Sequence, residues 1–164
     1  MFRRFQVLAF AAFACLIGSA LAAEAQMKVA DTVLKMPLAE GVSMDDAVES
    51  MKLRANSLNF KLVAYMPLYK ELQSMGIDSK RVEIFQFCDG RIAHEMLVHD
   101  IDFSAYLPCR ITLVEDQQGK PWLVTLDLDK VTQGADLPPE LARLAGQVRD
   151  SIRSIMEAGA QGEL

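Results

Sequence analysis

Cys88 and Cys109 are the side chains of this sequence with the greatest range of chemistry open to them. A third cysteine, Cys15, lies in an N-terminal segment that we expect to be removed. In an exported protein an even pair of cysteines most simply forms one disulfide, although cysteine also packs as a small apolar residue. A bridge that closes a loop of about 20 residues would stabilise the fold by roughly 3 kcal/mol. We expect a structural disulfide, with buried free thiols or a redox pair as alternatives.

A metal site is another use for the same cysteines. His94 and His99 lie between them, and the four side chains would form a nitrogen and sulfur set suited to zinc or copper. On a helix the directions of the two histidines differ by about 140°, so they do not easily meet at one centre. No established zinc spacing is present. The sequence therefore assigns no metal, and metal carriage stays an alternative.

Arg110 is a candidate ligand-binding residue. It lies on the exposed or pocket-lining side of its predicted strand, and its planar guanidinium group suits an anion. The simpler use of such a side chain is an ion pair, for which Glu115 and Asp127 are the candidate partners.

Three aromatic residues, Tyr65, Tyr106 and Trp122, are also candidates for lining a cavity between the sheet and the helices. Aromatic residues at strand spacing are more often part of the core. We include Tyr106 and Trp122 with Arg110 as predicted ligand contacts.

The sequence signatures of common enzymes are absent. There is no Gly-x-Ser-x-Gly, no His-Glu-x-x-His, no Walker loop, and no Gly-x-Gly-x-x-Gly after a strand. The adjacent carboxylates Asp45 and Asp46 lie at a predicted helix N-terminus, where they complement the helix dipole. Most methionines lie on apolar faces and indicate packing rather than copper handling. We expect no cofactor, and catalysis is disfavoured.

The first 25 residues have the pattern of a secretory signal peptide. Arg3 and Arg4 form a positive start, and the segment from Phe5 to Ala23 is apolar apart from three residues. Small residues then follow, as signal peptidase requires. We therefore expect export and a periplasmic location.

The same N-terminal segment offers two cleavage positions, and it also allows two alternatives: an uncleaved membrane anchor and a lipoprotein. Cleavage can follow Ala22 or Ala25, and the second leaves a mature chain of residues 26–164. An uncleaved anchor is disfavoured because the apolar core is shorter than the ~20 residues that cross a bilayer. A lipoprotein acylated at Cys15 is disfavoured because the usual leucine is missing before it. We expect no membrane contact after cleavage.

Charge excludes another class of partner. Cleavage after Ala25 removes Arg3, Arg4 and Glu24, which leaves 15 basic and 21 acidic side chains, a net charge of −6. A chain of this charge repels phosphate backbones, and no run of lysine or arginine overrides the repulsion locally. We expect no binding to nucleic acid.

The first predicted elements are a strand and a helix. A short strand is expected within Met27 to Leu38. Ser43 followed by Asp46 is the signature of a helix N-terminus, because the hydroxyl accepts a hydrogen bond from an otherwise unpaired amide. Apolar residues then recur at helical spacing: Met44, Ala47, Val48, Met51, Ala55 and Leu58. Asn59 can adopt the left-handed conformation that ends the helix.

Two strands with a short helix between them come next. Phe60 to Met66 alternates with the period of two that is typical of a strand with one buried face. The short helix is stopped by Gly76. Arg81 to Cys88 is a largely apolar run, which we expect to be a central strand.

Another helix and two strands follow Cys88. Asp89 can cap a short helix, and Pro108 opens a strand in which Cys109 shares a face with two aliphatic residues. If the strands on either side of this helix are antiparallel neighbours, the two cysteines can meet. Glu115 to Lys120 predicts a hairpin, after which alternation resumes.

The chain closes with a long amphipathic helix. After a polar loop from Asp129 to Asp136, Pro138 and Pro139 begin the helix, and we expect Gly159 to end it. No internal repeat and no linker divides the chain. The order of elements predicts one α+β domain over residues 26–164. It has a mainly antiparallel sheet of about 4–5 strands, a helix after the first strand, and the C-terminal helix packed on the sheet.

Several of these residues together resemble a known family. In chain order they are Phe87-Cys88-Asp89, Ala93, Met96-Leu97, Leu107-Pro108-Cys109-Arg110-Ile111, Glu115-Asp116, Gly119 and Trp122. The pattern is similar to that of the bacterial domain of unknown function 302 family, and Leu-Pro-Cys-Arg-Ile is its most specific part. The resemblance spans Val42 to Asp127, and the tail from Ile152 to Leu164 is similar to that of exported members.

The resemblance implies an α+β fold of strand, helix, four strands and helix, which is often a dimer, and it implies no established reaction. The family's pattern has Asn-Pro after the first cysteine, where this chain has Asp89-Gly90. The cap of the helix that begins there can therefore differ.

These observations favour a small, non-enzymatic, exported binding or accessory domain. They identify neither its small ligand nor a periplasmic protein partner, and a homodimer is an expectation taken from the resemblance. The alternative is a periplasmic thiol-redox or metal-carrying protein centred on Cys88 and Cys109.

Overall fold

The computed structural model describes residues 28–133 and 135–163, so the predicted signal peptide lies outside the described residues. Five strands and five α-helices follow one another, with a 3₁₀ turn before the first strand and another between α3 and β4. Their bounds are β1 Val33–Pro37, α1 Met44–Ser57, β2 Lys61–Met66, α2 Leu68–Ser74, β3 Val82–Cys88, α3 Gly90–His99, β4 Cys109–Glu115, β5 Pro121–Leu126, α4 Leu128–Thr132 and α5 Pro139–Gln161. Within this part of the chain, no helix has both the length and the apolar character needed to cross a membrane.

The five strands form one antiparallel sheet in the order β1-β5-β4-β3-β2. The predicted α+β fold is thus confirmed, with a helix after the first strand and a long C-terminal helix. The strand over Val82–Cys88 lies inside the sheet as predicted, although the middle position belongs to β4. The hairpin predicted between Glu115 and Lys120 joins β4 to β5.

One face of the sheet packs against α1 and α5. Alternate residues of the inner strands point to this face because side chains alternate along a strand. The buried core comprises Phe85, Phe87, Ile111, Leu113 and Leu123 from the strands, with Met51, Ile152, Ile155 and Met156 from the helices. Burial of these apolar side chains is the main force that holds the helix pair on the sheet.

The helix boundaries agree with the sequence at α1 and differ at α5. The Ser43 side chain accepts a hydrogen bond from the Asp46 amide at 3.1 Å, and Asn59 adopts φ +59° at the other end. Gly159, expected to end the last helix, lies inside α5, whose left-handed cap is Gly162 at φ +67°. The glycine at position 159 instead allows a close approach between α5 and α1.

Two further expectations differ from the structure. The strand predicted with one buried face is β2, but all six of its residues are exposed. It is an edge strand, and α5 packs on β1, β4 and β5, toward the opposite edge of the sheet. The loop expected from Asp129 contains α4, which begins at Leu128 because the Asp127 carboxylate caps it by accepting from the Asp129 amide at 3.1 Å.

Candidate ligand-binding site

The excursion between β3 and β4 builds one end of the molecule. Asp89 caps α3 as predicted, its Oδ1 accepting hydrogen bonds from the amides of Arg91 at 2.9 Å and Ile92 at 3.4 Å. A 3₁₀ turn over Ile101–Tyr106 and a cis Leu107–Pro108 peptide bond then return the chain to β4. The capped helix and the turn form an outer wall beside the ends of β3 and β4.

A cavity of about 70 Å³ lies between this wall and the helices α4 and α5. Its lining is almost entirely apolar, with contributions from three helices and the 3₁₀ turn: Ile92, Met96, Phe103, Leu128, Val131 and Val148. Cys88 and Cys109 both line it, as does Tyr106. Apolar concave sites of this kind are where proteins most often hold the apolar part of a small ligand.

The structure differs from the predicted disulfide, because Cys88 and Cys109 are both free thiols. The strand register accounts for the difference. Cys109 lies directly opposite Phe87, and Cys88 lies opposite Lys61 of β2. The two cysteines are therefore offset by one residue across the antiparallel pair, although they line the same cavity.

The surroundings of the thiols suppress their reactivity. Burial, followed by the nearby Cys88, raises the pKa of Cys109 to about 11. Burial, followed by the Asp89 carboxylate, also raises the pKa of Cys88 above its usual value. Because the thiolate is the nucleophile and the metal ligand, both side chains are poor in either role at neutral pH.

The metal alternative weighed from the sequence would need four side chains to meet. His94 and His99 are exposed on α3, and the ring of His99 lies near Phe103 with a centroid separation of 6.5 Å. Among the described residues, no group of three or more histidine, cysteine, aspartate or glutamate side chains is placed to hold a metal ion. The described residues therefore give the metal alternative at Cys88, His94, His99 and Cys109 no geometric support.

Arg110 and Tyr106, two of the candidate ligand contacts, lie at one cavity. Both line a second cavity of about 130 Å³, which shares Tyr106, Leu107, Cys109 and Leu128 with the first. Arg110 is exposed and forms no ion pair with any residue that the structure describes. Its two predicted partners are engaged elsewhere, since Glu115 pairs with Lys80 at 3.2 Å and Asp127 caps α4.

Trp122, the third predicted contact, lies away from this site. It is opposite Val114 near the hairpin, at the other end of β4 from Cys109. Its Nε1 donates to Asp116 Oδ2 at 2.8 Å, and the Lys120 ammonium lies 4.5 Å from the ring centroid. These contacts stabilise the hairpin, and the Trp122 indole lines neither cavity.

Sequence reasoning missed the wall that α4 contributes. Leu128 and Val131 line the apolar cavity, whereas the sequence pattern predicts a polar loop from Asp129 to Asp136. The sequence does contain a short signal for α4. Asp127 can cap a helix, and the apolar residues after it are spaced by about one helical turn. A five-residue helix gives too few repeats for periodicity to reveal it.

The chain matches one family of known proteins. The model of the family described as Domain of unknown function DUF302 matches residues 34–159. This chain belongs to that family. The family resemblance noted from the residues around Cys88 and Cys109 is thus confirmed, and the DUF302 match extends through β1 and most of α5.

A crystal structure of an uncharacterized conserved DUF302 protein from Bacillus stearothermophilus is similar to this DUF302 chain. The TM-score is 0.66 at 15% sequence identity, covering 77% of this chain and 97% of that chain. At this identity the likeness concerns the fold. No curated protein matches the chain.

Proposed function

We propose that this DUF302 protein is exported to the periplasm, loses residues 1–25, and binds a small amphipathic anion without catalysing a reaction. The observation that carries the proposal is the shared wall between the apolar cavity and the cavity lined by Arg110. The apolar part of a ligand would occupy the first cavity, and its anionic group would contact the guanidinium at the second. The signal-peptide pattern of the sequence supports the location.

The lining chemistry supports an amphipathic ligand over a purely polar one. Apolar surface transferred from water into a cavity of this kind is stabilised in proportion to its area. Tyr106 belongs to both cavities and presents a ring with a hydroxyl group where the ligand would change from apolar to polar. The guanidinium of Arg110, which has no ion pair among the described residues, supplies paired donors that match a carboxylate.

A thiol-redox protein is the second candidate, and one observation favours it. Cys88 and Cys109 line the same cavity, so the pair could pass electrons to a partner disulfide by thiol–disulfide exchange, gaining a bridge while the partner gains two thiols. The raised thiol pKa values argue against this role because exchange requires a thiolate.

The binding proposal is tested with octanoate as the probe and the mature chain as the protein. Calorimetric titration should show binding of octanoate that weakens about five-fold in Arg110→Met, the scale of one exposed ion pair. Arg91→Met is the matched control, because Arg91 is an exposed arginine on α3 that lines neither cavity. Equal weakening in both variants, or equal binding of octanol, would contradict the proposal.

Mass spectrometry of the native, non-reduced periplasmic protein tests the remaining parts. Cleavage after Ala25, no bound metal and thiols resistant to alkylation at neutral pH are expected. A disulfide would lower the mass by two hydrogen atoms and would contradict the free thiols of the structure. Rapid alkylation of either cysteine at neutral pH would favour the redox candidate instead.

A homodimer is a separate proposal that rests on the family resemblance and on β2. This edge strand pairs with β3 on one side only within the described residues, and exposed edges are common sites of strand pairing between copies. Sedimentation of the mature chain at twice its monomer mass would support the dimer, and sedimentation at the monomer mass would refute it.

A further inference from the structure

A second concave surface lies between α1, β2, α2 and β3, toward the start of β3 and away from the Cys88 end. It is a cleft of about 580 Å³, and it shares no lining residue with the two cavities described above. The cleft exists because β2 is an edge strand that α5 does not cover. We refer to it as the tyrosine cleft, since Tyr65 of β2 and Tyr69 of α2 both line it.

The floor of the tyrosine cleft is a buried carboxylate held by three hydrogen bonds. The Glu83 side chain is only 4% exposed, on the face of β3 that also carries Phe85. Tyr65 Oη donates to Glu83 Oε1 at 2.6 Å, while Arg81 Nε and Nη2 donate to Oε2 at 3.0 and 2.8 Å. Arg81 Nη2 also contacts Asp45 Oδ1 of α1 at 2.7 Å.

A buried ion pair of this kind is not needed for stability, because apolar residues of similar volume usually stabilise a core at least as well. What the network does provide is orientation. It fixes the phenol ring of Tyr65, which lies 5.1 Å from the Phe85 ring between centroids, and it ties α1 to β3. Binding sites need their contact groups fixed in this way by a supporting set of hydrogen bonds.

The charges that line the tyrosine cleft leave one cation without a carboxylate partner. Arg81 is paired with Glu83 and Asp45, and Lys52 is paired with Glu49 at 2.8 Å. Lys70 forms no ion pair with a described residue, and its ammonium lies 5.8 Å from the centroid of the Tyr69 ring. The cleft thus places aromatic and aliphatic walls beside one available positive charge.

We infer that the tyrosine cleft is a second binding site, and that it takes an aromatic carboxylate. The aromatic ring would pack between Tyr65, Tyr69 and the aliphatic wall that includes Leu62, and the carboxylate would pair with Lys70. A carboxylate fits better than an ammonium group, because each acid that lines the cleft already has a cationic partner. Aromatic ring pairs add to the binding energy beyond the burial of apolar area.

Three probes of similar size test the inference on the ¹⁵N-labelled mature chain. The first is 3-phenylpropanoate, the second is phenethylamine, and the third is 3-cyclohexylpropanoate. We expect 3-phenylpropanoate to shift the amide signals of Tyr69, Lys70 and Glu83 and to bind more tightly than the other two. Phenethylamine that binds the cleft as tightly as 3-phenylpropanoate would overturn the inference, as would shifts confined to other residues.

Two lysine variants separate a specific contact from general charge. Lys70→Met should weaken 3-phenylpropanoate about five-fold, the scale of an exposed ion pair. Lys61→Met is the matched control, since Lys61 is an exposed lysine of β2 outside the cleft. Equal effects of the two changes would overturn the inference. Arg110→Met should leave the binding of 3-phenylpropanoate at the tyrosine cleft unchanged. The two proposed sites can therefore fail independently: loss of octanoate binding tests the first, and loss of 3-phenylpropanoate binding tests the second.

Discussion

Gly159 of α5 lies so close to Met51 of α1 that a Cβ atom added to the glycine would fall 2.6 Å from the Met51 Cγ atom. The same Cβ would lie 3.1 Å from Leu123 Cδ1 of β5 and 3.2 Å from the backbone oxygen of Ala47. Helix, helix and sheet therefore meet at a position where only hydrogen fits. The close approach lets Met51, Ile155 and Met156 become fully buried.

Gly159→Ala should lower the free energy of unfolding by about 1–3 kcal/mol, because overpacking a core moves side chains or backbone. Urea denaturation followed by circular dichroism measures the change. Gly146→Ala is the matched control in the same helix, since a Cβ there meets only Arg149 Nη2 at 3.8 Å. Replacing a helical glycine without a clash should stabilise by roughly 0.5–1 kcal/mol. A loss of stability at position 146 equal to that at position 159 would contradict the packing argument.

Local signals predicted much of this fold from the sequence. The hydroxyl of Ser43, the left-handed Asn59 and the carboxylate of Asp89 act within a few residues of chain, and each is where the pattern placed it. Gly159 could not be predicted in the same way. Its role depends on Met51 and Ala47 of α1, far earlier in the chain, whereas its type alone indicates a helix end.

The candidate sites were less predictable, for a related reason. Burial of β2 depends on which strands the helices cover, so an alternating pattern did not reveal that all six residues are exposed. The two cysteines were correctly placed at neighbouring strand ends, but the register that offsets them by one residue is tertiary. Two sequence signals concerned the tyrosine cleft: Tyr65 was a candidate for lining a cavity, and Glu83 is a charged residue at the same spacing as Phe85 and Phe87.

The buried thiol of Cys109 should make stability depend on alkaline pH. Burial, then the neighbouring Cys88, raises its pKa from 9.0 to about 11, so the folded state holds the proton more tightly than the unfolded state does. The resulting stabilisation is complete below about pH 9 and is lost as pH rises through about 11. Between these values the reduced protein should lose on the order of 2 kcal/mol from this group.

Other groups also titrate at high pH, so the measurement is a comparison between variants. Denaturation of reduced wild type and Cys109→Ala at several pH values from 8 to 11 isolates the contribution of the thiol. The wild type should lose more stability than the variant over this interval. Parallel losses would show that the Cys109 thiol has an ordinary pKa in the folded protein.

Loss of the phenol hydroxyl at Tyr65 should weaken the floor of the tyrosine cleft. Tyr65→Phe removes the donor to Glu83 Oε1 and should cost about 1 kcal/mol, because Arg81 still pairs with the carboxylate and water can reach the site. Tyr69→Phe is the control, since that hydroxyl makes no hydrogen bond to a described side chain. Its effect should stay within about 0.5 kcal/mol. Equal effects would mean that the Tyr65 hydrogen bond does not contribute.

The same variant identifies the ionisation of Tyr65. Burial, together with the hydrogen bond and the charge of Glu83, raises the pKa of Tyr65 to about 12. The ultraviolet absorbance of phenolate, followed against pH, should lose a transition near 12 in Tyr65→Phe. A transition lost below pH 11 would instead place the phenol away from the carboxylate.

Asp89 has two separable effects, one on α3 and one on the Cys88 thiol. Its carboxylate accepts hydrogen bonds from the amides of Arg91 and Ile92, so Asp89→Ala should cost about 1 kcal/mol by removing the cap. Asp89→Asn retains an oxygen that can accept the same bonds and should change stability by less than about 0.5 kcal/mol. Thermal denaturation of the two variants beside the wild type measures the difference.

The charge of Asp89 contributes, after burial, to the raised pKa of Cys88. Asp89→Asn removes this charge while keeping the cap, so Cys88 should ionise more readily and react faster with iodoacetamide at a fixed pH near 8. Cys109, whose pKa is raised by burial and by Cys88, should react at an unchanged rate in the same sample. If both cysteines react faster with iodoacetamide, the substitution has opened the cavity to the reagent. The faster reaction of Cys88 would then reflect access of the reagent and not the loss of the Asp89 charge.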